Sequence, residues 1–248
     1  RYAAERMRTD FVANASHELR TPLAAIKGFL ETLEDPKAGK DDATRARFLK
    51  IMYNEADRMQ RLVEDLMSLS RIEAEKFEIP SEQIDLSELV GEARDFYINS
   101  RGKKENEILV KAPADIPLIY GDRAQLSQVV NNLLSNAFKY GKKGAPVTIS
   151  LAPNKSGTML CLAISDQGDG IAAEHIPRLT ERFYRVDKGR SKSIGGTGLG
   201  LAIVKHITER HGGRMEISST VGQGTTVSII LPIASNSLTQ GDSGHAVA

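Results

Sequence analysis

Apolar residues at Val12, Leu19, Leu23, Ile26, Leu30 and Leu33 recur mostly three or four positions apart, the spacing of one helix face. The pattern predicts an amphipathic helix over about Arg8 to Leu33, packed against partner helices. A second run, Phe48, Met52, Met59, Leu62, Leu66 and Leu69, predicts another helix ending near Ile72. Between them, Asp35-Pro36-Lys-Ala-Gly39-Lys-Asp-Asp carries the breakers of a turn. The two helices therefore read as an antiparallel hairpin. Two helices leave the outer halves of their apolar stripes wet, and dimerisation into a four-helix bundle is the expected remedy.

The pattern changes after Phe77-Glu-Ile-Pro80. Leu86 to about Ser100 reads as a helix, Ile108 to Lys111 as a short strand, and Asp122 to Tyr140 as a helix capped by Asp122. Val147 to Leu151 and Met159 to Ile164 read as strands. Gly198 to His211 should be a helix closed by Gly212-Gly213, followed by strands Arg214 to Ser219 and Thr225 to Leu231. The expected organisation is an all-α hairpin over 1–76, a linker over 77–84, and an α+β two-layer domain with a mixed β-sheet over 85–234. Residues 235–248, rich in Ser, Gly, Gln and Asn, read as a flexible tail.

Composition narrows the class. With 40% hydrophobic and 26% charged residues the 248-residue chain reads as globular, and its net charge of +1 gives no reason to expect a nucleic-acid surface. No run approaches the eighteen apolar residues of a membrane span, so no membrane contact is expected of this piece. The single cysteine, Cys161, lies in a strand-like run and excludes a disulfide within one chain. The chain opens on a charged helical pattern without an initiator Met, so it looks cut from something longer.

Candidate chemistry begins at His17. It falls beside the apolar seam, where an imidazole is open to an incoming group; Glu18 follows, and Thr21 shares its helix face one turn on. Pro22 deprives the Glu18 carbonyl of its helical partner and should kink the helix. A surface histidine on an ordinary bundle helix fits the local context equally well. Three glycine clusters add weight: Asp166-Gln-Gly168-Asp-Gly170, Gly195-Gly196-Thr197-Gly198-Leu199-Gly200, and Gly222-Gln-Gly224-Thr225. Glycine lets backbone N–H groups approach a phosphate, and the second cluster opens a helix whose N-terminus favours anions. The spacing matches neither a P-loop nor a dinucleotide fingerprint. Asn132 and Asn136 share a helix face, so their amide oxygens can converge on one hard cation, although on spacing alone bonding to backbone is favoured.

Together these segments resemble the cytoplasmic core of a sensor histidine kinase over about Arg8 to Pro232. Ser16-His17-Glu18-Leu-Arg-Thr21-Pro22-Leu23 is similar to the H box, Asn132 to Tyr140 to the N box, and Glu181-Arg-Phe183-Tyr-Arg185-Val-Asp to the F box. The glycine clusters resemble the three glycine boxes, in the family's order. The wording of Leu179 to Asp187 is closest to phosphate-regulon sensors. Phe138 and Gly141 depart from the usual aliphatic and Thr or Ser residues, which bears on the shape of the adenine pocket.

The resemblance implies a HisKA dimerisation and phosphoacceptor hairpin followed by a GHKL-type ATP site. In it Asp166 would accept from the adenine amino group, Thr225 would support that pocket through water, and Tyr140 would pack near the base. Asn136, helped by Asn132, would hold Mg²⁺ across the phosphates, and Lys139 and Arg185 would supply positive charge. Gly168, Gly170, Gly196, Thr197, Gly198, Leu199 and Gly200 would line the nucleotide, under a lid carrying Lys188, Arg190, Lys192 and Ser193. His17 would take the γ-phosphate with Glu18 as its base and pass it to an aspartate of a response-regulator receiver domain. Thr21 would place a water for the reverse dephosphorylation. The parent protein would be anchored in the bacterial inner membrane by a preceding region. Two rivals remain at this point: an inactive ATP-binding signalling scaffold, and an ATPase clamp of the same superfamily, which leaves the His17 hairpin unexplained.

Overall fold

The computed structural model describes residues 2–35, 41–75, 77–187 and 196–234, with side chains from residue 11 onward. Two 33-residue helices come first, α1 (Tyr2–Glu34) and α2 (Asp42–Ala74). Asp41 caps α2, its carboxylate accepting from the Thr44 N–H at 3.1 Å. Helix α1 continues through Pro22, and the Thr21 hydroxyl just before it donates to the His17 carbonyl one turn back at 3.2 Å. The hairpin turn expected around Gly39 and the tail beyond 234 lie outside the described residues.

The two helices pack through Phe29 on Phe48, ring centroids 4.9 Å apart, and through an ion pair between Glu18 and Arg58. Much of the apolar stripe stays open: Val12, Leu23, Leu30 and Leu49 are about half exposed, and Tyr53 is 74% exposed. Farther along α2, the buried residues Leu62, Leu69 and Ile72 join a core shared with the second half of the chain. Part of the surface that the sequence left for a second copy is thus covered from within the chain.

That second half is a five-stranded sheet with helices on one face. After β1 (Glu82–Ile84) come α3 (Leu86–Arg101), β2 (Ile108–Lys111), β3 (Ile119–Gly121) and α4 (Arg123–Tyr140). Then follow β4 (Val147–Pro153), β5 (Met159–Ser165), α5 (Gly200–Arg210), β6 (Arg214–Thr220) and β7 (Gly224–Pro232). The sheet runs β2-β4-β5-β7-β6, with β2 parallel to β4 and every other pair antiparallel. Alternate residues of β4 and β5, Val147, Ile149 and Leu151 and then Leu160, Leu162 and Ile164, point into the core. They meet Leu126, Val129, Val130, Leu133 and Leu134 of α4 and Ile203, Val204 and Ile207 of α5. Burial of a side chain of this size contributes about 1.5–3 kcal/mol, so this layer holds α4 and α5 in place.

The structure adds two strands that the pattern did not reveal. β1, inside the stretch expected as linker, pairs antiparallel with β3, Ile84 opposite Ile119. Each leads directly into a helix cap: Asp85 accepts from the Ser87 N–H at 2.8 Å, and Asp122 from the Gln125 N–H at 3.1 Å. The pairing therefore ties the start of α3 to the start of α4.

Two buried residues at the end of α5 brace the same point. His211 accepts from the Asp122 N–H through Nε2 at 2.9 Å and donates through Nδ1 to the Ile207 carbonyl at 2.7 Å. Partners of opposite kind fix the neutral tautomer, and burial pulls its pKa down. The Arg210 side chain, 6% exposed, meets Glu75 just past α2, the cap Asp122 and the Gln125 amide oxygen. α5 itself begins at Gly200, two residues later than the pattern predicts, because Gly198 has φ 76°, outside the helical region.

Candidate nucleotide site

Between α4 and the glycine turns lies a cavity of about 910 Å³. Asn132, Asn136, Lys139 and Tyr140 of α4 line it, with Asp166 and Gly170 after β5, Gly196, Thr197, Gly198 and Gly200 before α5, and Thr225 of β7. Arg185 lines it too. Of the sequence candidates, Gly168 and Leu199 shape the turns without facing the cavity, and His17, Glu18 and Thr21 stand on α1 outside it.

Local geometry explains why these residue types stand here. The Asp166 N–H donates to the Thr225 carbonyl at 2.9 Å, and its carboxylate accepts from the Gly168 N–H at 2.7 Å. A Cβ on Gly168 would collide with the Tyr140 carbonyl and the Asp166 carboxylate. Burial pushes the Asp166 carboxyl upward, opposed by the backbone N–H groups of Gly168 and Thr225 that donate to it. Ser219, which the sequence did not single out, stitches the turns: it accepts from the Ile171 N–H at 2.8 Å, donates to the Gly224 carbonyl at 2.9 Å and lies 2.8 Å from the Thr225 hydroxyl. It holds Thr225 at the wall.

On the opposite side, the Asn132 amide nitrogen donates to the Gly200 carbonyl at 3.4 Å, joining α4 to the start of α5. That leaves its oxygen, with the Asn136 amide, for a hard cation whose remaining ligands would be phosphate oxygens and water, a donor set that suits Mg²⁺. Lys139 has its pKa drawn down chiefly by burial, with Arg61 and Arg101 adding to the effect and Asp65 opposing it.

Sequence reasoning also missed three α2 side chains that complete the wall: Arg61, Glu64 and Asp65. Nothing in a helical stalk pattern distinguishes them, since only tertiary packing brings α2 to this cavity. Asp65 accepts from the Thr197 hydroxyl at 2.6 Å, and the Leu199 N–H donates to the same hydroxyl at 3.3 Å. Farther along α2, Ser68 donates to Gln128 at 2.8 Å, and Glu73 pairs with Arg182.

The histidine helix reaches the same region. His17 is exposed. Its neighbour Glu18 accepts through one oxygen from Arg58 at 2.8 Å and Arg185 at 3.2 Å. Both arginine side chains are nearly buried, at 5% and 8% exposure. Arg185, expected to serve phosphates, thus also touches the H-box glutamate. Phe183 takes φ 64°, unusual for a residue with a side chain, and its N–H donates to the Gly198 carbonyl at 2.8 Å. Its ring lies 6.0 Å from that of Phe11 on α1. The expected lid falls mainly on residues 188–195, outside those described. Among the described residues no helix is long and apolar enough to cross a membrane.

Known proteins resemble this chain in sequence and fold. Residues 7–75 match the His Kinase A (phospho-acceptor) domain, and residues 121–235 match the histidine kinase-, DNA gyrase B- and HSP90-like ATPase family. The phosphate regulon sensor protein PhoR of Pseudomonas aeruginosa is 43% identical over 223 residues, 90% of this chain and 49% of that protein. The sensor histidine kinase WalK of Bacillus subtilis is 38% identical over 226 residues, 91% of this chain and 36% of that protein. The chain therefore spans half or less of the length of these two relatives. Among solved structures, the histidine kinase AdeS of Acinetobacter baumannii superposes with a TM-score of 0.66 at 26% identity, over 88% of this chain and 98% of that one. Full-length ShkA in complex with AMPPNP gives 0.64 at 27% identity, over 91% of this chain and 46% of that one. With a phospho-acceptor hairpin preceding an ATPase lobe, and such relatives along nine-tenths of its length, the chain belongs to the sensor histidine kinase family.

Proposed function

We propose that this chain is the kinase core of a two-component sensor: it phosphorylates itself on His17 from ATP, passes the group to an aspartate of a response-regulator receiver domain, and also dephosphorylates that regulator. One observation carries the reading: His17 is exposed on a helix whose next residue is bonded to Arg185, a side chain in the wall of the cavity that holds Asn136, Asp166 and the glycine turns.

Phosphoryl transfer asks a protein mainly to align groups and neutralise charge. The cavity fits an adenine nucleotide, with the Asp166 carboxylate for the base, Lys139 and the N–H groups before α5 for the phosphates, and Asn136 and Asn132 for Mg²⁺, which supplies charge neutralisation when bound. An unprotonated ring nitrogen of His17 forms the N–P bond as the bond to the ADP oxygen breaks. Glu18 takes up the proton from the other nitrogen, help worth about 10²–10⁴-fold in rate. To do so it must leave Arg58 and Arg185, so the arrangement described here is not the one in which transfer occurs. Thr21, one turn from His17, positions water for the phosphatase step. The open stripe of Val12, Leu23, Leu30, Leu49 and Tyr53 is covered by a second copy and, near His17, by the receiver domain.

Incubation with labelled ATP tests this directly. The protein should acquire acid-labile, base-stable label, and His17→Gln should acquire none while still binding nucleotide. Label persisting in His17→Gln would refute the assignment, and wild-type protein that binds ATP but never labels would be the scaffold instead.

A further inference from the structure

Asp65 belongs to the stalk helix, yet it faces the nucleotide cavity, where it bonds one group suited to a terminal phosphate and feels the charge of another. Its Oδ2 accepts from the Thr197 hydroxyl at 2.6 Å, in the glycine turn that opens α5. Its charge and that of Lys139, on the facing wall, attract each other. A hydroxyl donor and an ammonium are the partners a terminal phosphoryl oxygen would take; the Asp65 carboxylate already accepts from the hydroxyl and is attracted by the ammonium. The two anions cannot share these partners at close range without repulsion in a half-buried site.

We propose that Asp65 is an internal stand-in for the terminal phosphate, so that the lobe docked on α2 accepts a nucleoside diphosphate and rejects a triphosphate. This rests on the reading that the cavity takes an adenine nucleotide. Triphosphate binding then requires the Asp65–Thr197 bond to break and the glycine turn to leave the stalk. Once the terminal phosphate has gone to the histidine, the remaining diphosphate no longer opposes docking. One carboxylate thereby makes the position of the lobe depend on how many phosphates it carries.

Calorimetry on the full chain in Mg²⁺, with ADP and with AMPPNP, tests the proposal. The wild type should bind ADP more tightly, and Asp65→Asn should lower the ratio of the two dissociation constants by about tenfold, in the range of ordinary site-to-site couplings. Asp65→Ser, also uncharged and able to bond Thr197, should do the same if the amide disturbs folding. Glu31→Gln removes an equal charge from an exposed site on α1, away from the cavity, and should leave the ratio within about twofold. An unchanged ratio in both Asp65 variants overturns the proposal, as does an equal shift in Glu31→Gln, which would make the effect one of general charge. A wild type that binds neither nucleotide overturns the nucleotide reading itself, a result distinct from an unchanged ratio.

Discussion

Replacing Glu18 by glutamine keeps the shape of the side chain and removes the charge on which two buried arginines converge. Arg58 and Arg185 each donate to the same carboxylate oxygen, at 2.8 and 3.2 Å. Among the described residues Arg58 has no other hydrogen-bond acceptor, and its nearest further carboxylate, Glu55, is 3.8 Å away. A hydrogen bond to a charged partner is worth about 1.5–3 kcal/mol and a neutral one about 0.5–1.5, so each arginine loses roughly 1–1.5 kcal/mol. The Glu18 side chain is 28% exposed, and water reaching it recovers part of that. The expected cost is about 2 kcal/mol, below the 3–5 of a fully buried pair that loses one partner. Urea denaturation at neutral pH measures it, and a double-mutant cycle with Arg58→Met should return a coupling of about 1 kcal/mol or more. A variant within about 0.5 kcal/mol of the parent, or strict additivity with Arg58→Met, would mean that the carboxylate does not anchor these arginines. Labelling should slow about 10²–10⁴-fold in the same variant, an effect far larger than its stability loss explains.

Asn136→Ala should weaken Mg·ATP binding by about 10–100-fold, the value of one contact to a charged group, and calorimetry showing unchanged affinity would remove Asn136 from the site. The neutral tautomer of His211 makes stability depend on acid. Its pKa is lowered in the folded chain, so the unfolded chain binds the extra proton first; the stabilisation is full above about pH 6.5 and is lost as pH falls below it. Denaturation between about pH 6.5 and 5.5 should be steeper for the wild type than for His211→Gln by up to about 1.4 kcal/mol per pH unit, and equal slopes would show that the ring is not held neutral.

Long periodic segments were legible in the sequence because burial imposes the pattern. The spans of α4, β4 and β5 match the predicted ranges to within two residues at each end, and Asp122 caps the helix it was expected to cap. β1 and β3 were not legible, since three residues carry no readable alternation and their pairing joins Ile84 to Ile119, far apart in sequence. In the cavity, Asn132, Asn136, Asp166 and Thr225 could be named because the segments that carry them resemble the family's boxes; spacing alone left the two asparagines bonding to backbone. Asp65, Arg61 and Ser219 could not, because their place in the site depends on how α2 and the edge of β6 meet it, which no local spacing records. The expected remedy for the wet stripe was a second copy, whereas Leu62, Leu69 and Ile72 found theirs in the ATPase lobe; a stripe on a helix does not specify its cover.

Arg210 gives this architecture a mechanical property. One guanidinium grips both the end of the stalk at Glu75 and the first turn of the asparagine-bearing helix at Asp122 and Gln125. A displacement of the end of α2 therefore bears on the root of that helix through one nearly buried side chain, beside the direct contacts that Asp65 and Glu18 make with the cavity wall. Drawing the two ends apart would strip that guanidinium of both carboxylates at once, so the stalk and the helix root are held as one unit.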